Sequence, residues 1–199
     1  MNILIDALPN KISSCKVRTD YRVWLRVMRI VGTLNIDRLT RDLDYFVATM
    51  DEISALVFTE WPDFYTIDTL HEVGEFLSCK GAEQVNIEGR KSDSSGDTRL
   101  FDMDFDSGAI YASFLGQYGI DLVKTKHLHW YLFNVLLQNL TEDSPLRVRA
   151  KIRSIKHGDV PKDKLAELKR VQGLYRVPVS DAEKAQREVL TKLLKGGDK

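Results

Sequence analysis

"VRTDYRVWLRVMRIV", residues 17–31, sets the fold class of this chain. Tyr21, Trp24, Leu25, Met28 and Val31 fall at i, i+3, i+4, i+7 and i+10, the spacing of one apolar face of an α-helix. Thr19 or Asp20 can cap its start and Gly32 its end, while Arg22, Arg26 and Arg29 gather on another face. Upstream, "MNILIDALPNKISSCKV" is short, apolar and broken by Pro9, which predicts an extended lead-in with room for a small hairpin. Downstream, residues 35–58 carry Ile36, Leu39, Leu43, Phe46, Val47 and Met50 at helical spacing, as one helix or as two broken near Met50. Trp61, Pro62 and Asp63 mark a loop. Ile67, Leu70, Val73, Phe76 and Leu77 then trace a further helix ending near Gly81.

"EGRKSDSSGDTR", residues 88–99, has no apolar residue and predicts a mobile loop. It separates an N-terminal helical region, 1–87, from a C-terminal one, 100–199, and the two can fold together as one domain. Beyond the loop, Ile110, Phe114 and Tyr118 repeat every four residues and predict a helix from about Asp106. Its acidic entrance suits the positive end of the helix dipole. The most aromatic stretch, "YGIDLVKTKHLHWYLFNVLLQNL" at 118–140, predicts a helix from near Thr125 to near Asn139. Leu128, Leu132, Val135 and Leu136 would line one side of it, and Trp130, Phe133, Leu137 and Leu140 another. Pro145 opens a basic helix, "PKDKLAELKRVQGLY" reads as the next, and Ser180 with Glu183 forms a capping box for a last one. The fold class is mainly α, an irregular multi-helix assembly with a short extended lead-in.

Composition narrows the function. The 199 residues are 43% hydrophobic and 29% charged with zero formal net charge, as in soluble globular proteins. The longest mostly apolar run, 128–137, falls short of the roughly 20 residues a membrane span needs. The start of the chain lacks the basic leader of a signal peptide, so a cytosolic protein is expected, with Cys15 and Cys79 as thiols. Residues 37–88 hold twelve acidic and three basic side chains, whereas 147–176 hold ten basic and three acidic. Such asymmetry suits two faces that meet within a fold or across a homo-oligomer, or a basic surface for an acidic partner.

No catalytic or cofactor motif accompanies these patterns, so neither an enzyme nor a cofactor is expected. His127 and His129 lie about 200° apart on a helix and cannot share a metal there. "DMDFDSG" starts like a calcium loop, with Asp102, Asp104 and Asp106 in place, but Ser107 and Ser113 stand where glycine and a bidentate glutamate are needed. No nucleic-acid fold motif accompanies the basic residues after Pro145.

Five stretches together carry a resemblance: Leu8–Pro9, "VRTDYRVWL" at 17–25, "FLSCKG" at 76–81, "FDMDFDSGAIYASFLGQYGIDL" at 101–122 and "LHWYLFNVLLQNL" at 128–140. In order and spacing over about residues 1–155, the chain resembles the bacteriophage Gp-fifteen proteins of siphophages that infect Gram-positive bacteria. It departs at Tyr131, where the family has a second tryptophan, and at the basic "KIRSIK" run. The resemblance implies a tail-assembly chaperone in the host cytoplasm. Such a protein coats the tape-measure protein and leaves as tail-tube protein polymerises, alone, as a homo-oligomer or with an upstream chaperone partner. Neither a membrane nor a nucleic acid is an expected partner. Candidate protein-contact residues are Trp130, Tyr131, Phe133 and Leu137 on the aromatic helix, with Arg22 and Arg26. Two other readings stay open: a tail or connector component of the virion, and a nucleic-acid-binding protein using the basic half.

Overall fold

The computed structural model describes residues 1–60, 66–81 and 100–178. The predicted loops at 61–63 and 88–99 and the helix capped by Ser180 lie outside the described residues. Those described form a mainly α protein: eight α-helices and one two-stranded hairpin. They fall into two compact units, one within Met1–Glu88 and Phe114–Leu140, the other within Gly89–Ser113 and Thr141–Lys199.

The first unit begins with the hairpin, β1 (Lys11–Ile12) against β2 (Cys15–Lys16), with Lys11 opposite Lys16 and Ile12 opposite Cys15. Ser13 and Ser14 turn the corner at φ 46° and 69°, in the left-handed region that a tight hairpin turn requires. The Glu72 carboxylate holds that turn, accepting from both the backbone N–H and the hydroxyl of Ser13 at 2.6 and 2.8 Å. Helix α1 (Tyr21–Thr33) follows, with Asp20 accepting from the Arg22 amide at its start. It buries Tyr21, Trp24 and Val27, so its inner face is rotated from the predicted one, and Leu25, Met28 and Val31 are only half-buried. Gly32 sits inside the last turn rather than beyond it.

The next break falls at Asp42, eight residues before the predicted one at Met50, between α2 (Ile36–Arg41) and α3 (Leu43–Val57). Asp42 is extended, at φ −119° and ψ 101°. Its amide closes α2 on the Arg38 carbonyl, and its side chain accepts from the Tyr45 amide to open α3. One residue capping two helices is a local signal that apolar periodicity does not contain. Helix α4 (Ile67–Leu77) carries a reciprocal cap between Thr66 and Thr69 and ends before Cys79, at φ 54°, and Gly81, at φ 85°.

Helix α5 (Ser107–Tyr118) starts where the sequence places it, and the boundary between the units falls within it. The aromatic helix is shorter than expected: α6 spans Trp130–Gln138, not 125–139. Gly119, at φ 67°, terminates α5, and the Asp121 side chain then accepts from the Val123 and Lys124 amides to make a turn. Residues 128–130 pair with residues 19–21 through Tyr21 N–H to Leu128 O at 2.9 Å and Trp130 N–H to Thr19 O at 2.7 Å. These bonds commit the backbone around His129 to an extended form, overriding its helical pattern.

The second unit contains the turn before α5, then α7 (Pro145–Ser154), a 3-10 turn at His157–Asp159, and α8 (Lys162–Tyr175). Pro145 sits at the start of α7 and the Ser144 hydroxyl accepts from the Arg147 amide. Ser113 ties this unit together: its hydroxyl donates to the Ala109 carbonyl at 2.7 Å and accepts from the Leu146 amide at 3.1 Å.

Candidate protein-contact site

The six candidate residues divide sharply when placed in the first unit. Trp130, Tyr131, Phe133 and Leu137 are all buried on α6. Phe133 stacks on Tyr21, ring centroids 4.7 Å apart and nearly parallel, and on Phe114 at 5.1 Å. Trp24 stacks on Phe76 at 4.2 Å, and the Tyr131 ring meets Phe76 edge-on at 5.2 Å. Each such pair is worth about 0.5–1.5 kcal/mol beyond the area it buries. The two indole N–H groups are satisfied as well, Trp24 donating to Arg18 O at 2.8 Å and Trp130 to Leu77 O at 3.0 Å. The α6 aromatics Trp130, Tyr131 and Phe133 therefore serve the core of their own unit.

Tyr131 and Cys79 show the same burial chemically. Burial, reinforced by the neighbouring Cys79 and Glu75 groups, pushes the Tyr131 phenol up to about 12. Burial also pushes the Cys79 thiol up to about 12.

Arg22 and Arg26 behave differently from each other. Arg22 is half-buried: it pairs with Asp20 at 3.2 Å and donates to the carbonyls of Leu122 and Thr125 at 2.6 and 2.7 Å. It thereby fixes the 120s turn to the start of α1. Arg26 is exposed.

His127 and His129 each bond within the first unit. The His129 Nδ1 accepts from the Tyr131 amide at 3.1 Å, which leaves Nε2 to donate to the Pro9 carbonyl at 2.9 Å. Burial first, then the nearby His127, holds the His129 ring below the ordinary histidine range, despite the bond to Pro9. His127 bonds the Thr19 hydroxyl at 3.0 Å. Among the described residues no three His, Cys, Asp or Glu side chains are grouped to hold a metal ion.

In the second unit the "DMDFDSG" carboxylates make a turn and an ion pair. Asp102 accepts from the Asp104 and Phe105 amides, and Asp106, with 0% of its surface exposed, accepts from Arg153 at 2.6 and 2.8 Å and from Arg149 at 3.3 Å. Asp106 stands at the entrance of α5, as expected from the sequence, and its side chain is in addition the anion around which α7 packs. Two cations of the basic segment are thus engaged inside their own unit.

Helical spacing alone did not separate buried from exposed apolar residues along α2 and α3. Ile36, Leu43 and Val47, which share helical spacing with the buried Leu39, Phe46 and Met50, are 64%, 73% and 41% exposed. The signal was present in the breadth of apolar positions along α3, more than one packing face can cover.

These geometries define a mainly α-helical protein of two compact units, in which the α6 aromatics serve packing and exposed apolar side chains lie elsewhere on helices and loops. The chain belongs to the bacteriophage Gp15 protein family, whose model matches residues 4–177. It is a phage protein of virion structure or morphogenesis. No curated protein and no solved structure matches it. Among the described residues no helix is long and apolar enough to cross a membrane.

Proposed function

We propose that this protein is a tail-assembly chaperone: in the host cytoplasm it binds the tape-measure protein during tail morphogenesis and gives way to tail-tube subunits. The observation that carries this reading is family membership over residues 4–177. The protein acts by binding, without catalysis or a cofactor. A chaperone of a long helical client needs several modest apolar contacts, since each must yield to the next partner. Exposed Leu4, Ile5, Ile67 and Val123 supply such contacts in the first unit, in place of the buried α6 aromatics.

The test is co-expression. Tape-measure protein made alone should aggregate, become soluble when this chain is present, and lose the complex as tube protein is added. If it stays insoluble with this chain and any upstream chaperone present, the chaperone reading is withdrawn. Mass spectrometry of purified virions separates the alternative, because a tail or connector component stays in the particle and a departed chaperone does not.

A further inference from the structure

His129 is the point at which three segments of the first unit meet. Its backbone pairs with Asp20 at the entry to α1, its side chain caps α6, and its ring reaches Pro9 in the lead-in. The chemistry of the two ring partners fixes its protonation. A backbone amide can only donate, so Nδ1, 3.1 Å from the Tyr131 nitrogen, must be bare; a carbonyl can only accept, so Nε2, 2.9 Å from Pro9 O, must carry the proton. The arrangement admits the neutral ring alone. Protonating Nδ1 would set two N–H groups against each other and take the cap from α6. It would also place a positive charge at the positive end of a helix dipole, on a residue 8% exposed.

The surroundings do not offset that charge. The ring packs against Phe76 of α4 and Tyr131 of α6, with centroids 6.2 and 5.6 Å away. Of the carboxylates on the neighbouring elements, Asp20 pairs with Arg22, Glu75 with Lys80, and Glu72 is held on the Ser13 turn. The Tyr131 phenol and the Cys79 thiol stay neutral, Lys11 on β1 and Arg18 ahead of α1 are cations, and His127, when charged, opposes a second positive ring. The lead-in itself is lightly held. None of residues 1–10 is fully buried, and among the described residues the other hydrogen bond from residues 1–9 to the rest of the unit joins the Met1 ammonium to Gly81 O, at an exposed position.

We propose that His129 is an acid-operated latch: neutral, it caps α6 and pins residues 1–9 through Pro9; protonated, its ring swings out to water, which uncaps α6 and releases that segment. Leu4 and Ile5, 90% and 81% exposed, travel with it. A folded-state pKa held below the ordinary 6.5 means that the latch is closed above that value and opens as pH falls through the folded one. The latch rests on hydrogen-bond geometry and is independent of the client.

Nuclear magnetic resonance of the full, isotope-labelled chain, titrated from about pH 7.5 to about pH 5, tests this in a range where ordinary carboxylates stay charged. The ring-nitrogen shifts should place the neutral proton on Nε2 and give a midpoint below about 6.5. With that same midpoint the Leu4 and Ile5 signals should move and the Tyr131 amide should lose exchange protection, while far-UV circular dichroism stays helical. His129→Asn keeps an oxygen to cap α6 but is too short to reach Pro9 and does not titrate. In that variant residues 1–9 should be free, and Tyr131 protected, at both ends of the range. The proposal fails if the neutral ring carries its proton on Nδ1, if the midpoint lies at or above the ordinary value, or if Leu4 and Ile5 ignore it. It also fails if their acid shift persists in His129→Asn, which assigns the shift to His127 or Asp20. Unfolding of the whole first unit at that midpoint overturns it too, since His129 is then a group of general acid stability and no latch. Should the variant not fold, the titration of the native chain decides alone.

Discussion

Replacing Asp106 with alanine should cost about 3–4 kcal/mol, the lower part of the range for breaking a buried ion pair. The carboxylate is fully buried and accepts four hydrogen bonds, two from Arg153, one from Arg149 and one from the Asp102 amide. The two short bonds from Arg153 would by themselves account for about 3–6 kcal/mol, at 1.5–3 for each bond to a charged group. Two facts lower the figure: Arg153 keeps the carbonyls of Leu100 and Tyr175 as acceptors, and Arg149 is only half-buried, so water can take part of its charge. Urea unfolding read by circular dichroism measures the loss, and hydrogen exchange should locate it in α7 and α8. The double change Asp106→Leu with Arg153→Met should recover much of the stability, because no buried charge is then left without a partner. Burial alone would raise the Asp106 carboxyl, yet the bonds and charge of Arg153, with the Asp102 amide and Arg149, hold it below the ordinary aspartate range. A folded-state pKa below the unfolded one means this stabilisation is complete above about pH 4 and is lost as pH falls through the folded value. Asp106→Asn should therefore flatten the acid side of the stability profile. A cost below about 1 kcal/mol for the single change, or strict additivity in the double, would refute the reasoning.

Trp24→Ala should cost about 3–5 kcal/mol in chemical melts, since the indole is fully buried and stacked on Phe76; Arg26→Gln should change stability by less than about 0.5. Arg22→Gln should fall between, at about 1–3 kcal/mol, through loss of the Leu122 and Thr125 carbonyl bonds, and equal melts for the two arginine variants would contradict that placement. Phe133→Ser should unfold the first unit rather than selectively abolish client binding; a folded variant that no longer keeps tape-measure protein soluble would return α6 to the list of contact surfaces. Cys15 should react with a thiol reagent in the folded protein, whereas buried Cys79, its pKa pushed up to about 12, should react only on unfolding.

Helix existence was legible because periodicity records burial along a single element. Tyr21 and Trp24 in α1, Val73 and Phe76 in α4, and Ile110 and Phe114 in α5 all face inward as their spacing requires. The illegible parts are those set by partners distant in sequence or by one side chain's local bonds. Nothing near His129 announces that residues 19–21 will pair with 128–130, so a stretch with helical spacing turns extended. Asp42 looks like any acidic residue until its two backbone bonds are seen. Asp106 and Arg153 lie 47 positions apart, and a charge count cannot tell which carboxylate will be buried with which guanidinium.

The same limit bears on where function lies. Aromatic density is a poor guide to an interaction surface when several rings can stack on one another, because their mutual burial supplies the core that a unit of this size needs. Phe133, Tyr21, Phe114 and Trp130 do this. Once they have filled the interior of the first unit, other apolar residues at helical spacing have no interior left to enter. Leu43 and Val47 are left outside in this way, beside Asp44 and Asp51, on a helix whose other side is already packed. Apolar groups interleaved with carboxylates resist indiscriminate aggregation while still rewarding a basic, apolar partner. For the chaperone role proposed above, that moderate surface is better suited than the aromatic one. An interface built on Trp130 and Phe133 would have to open the core to form.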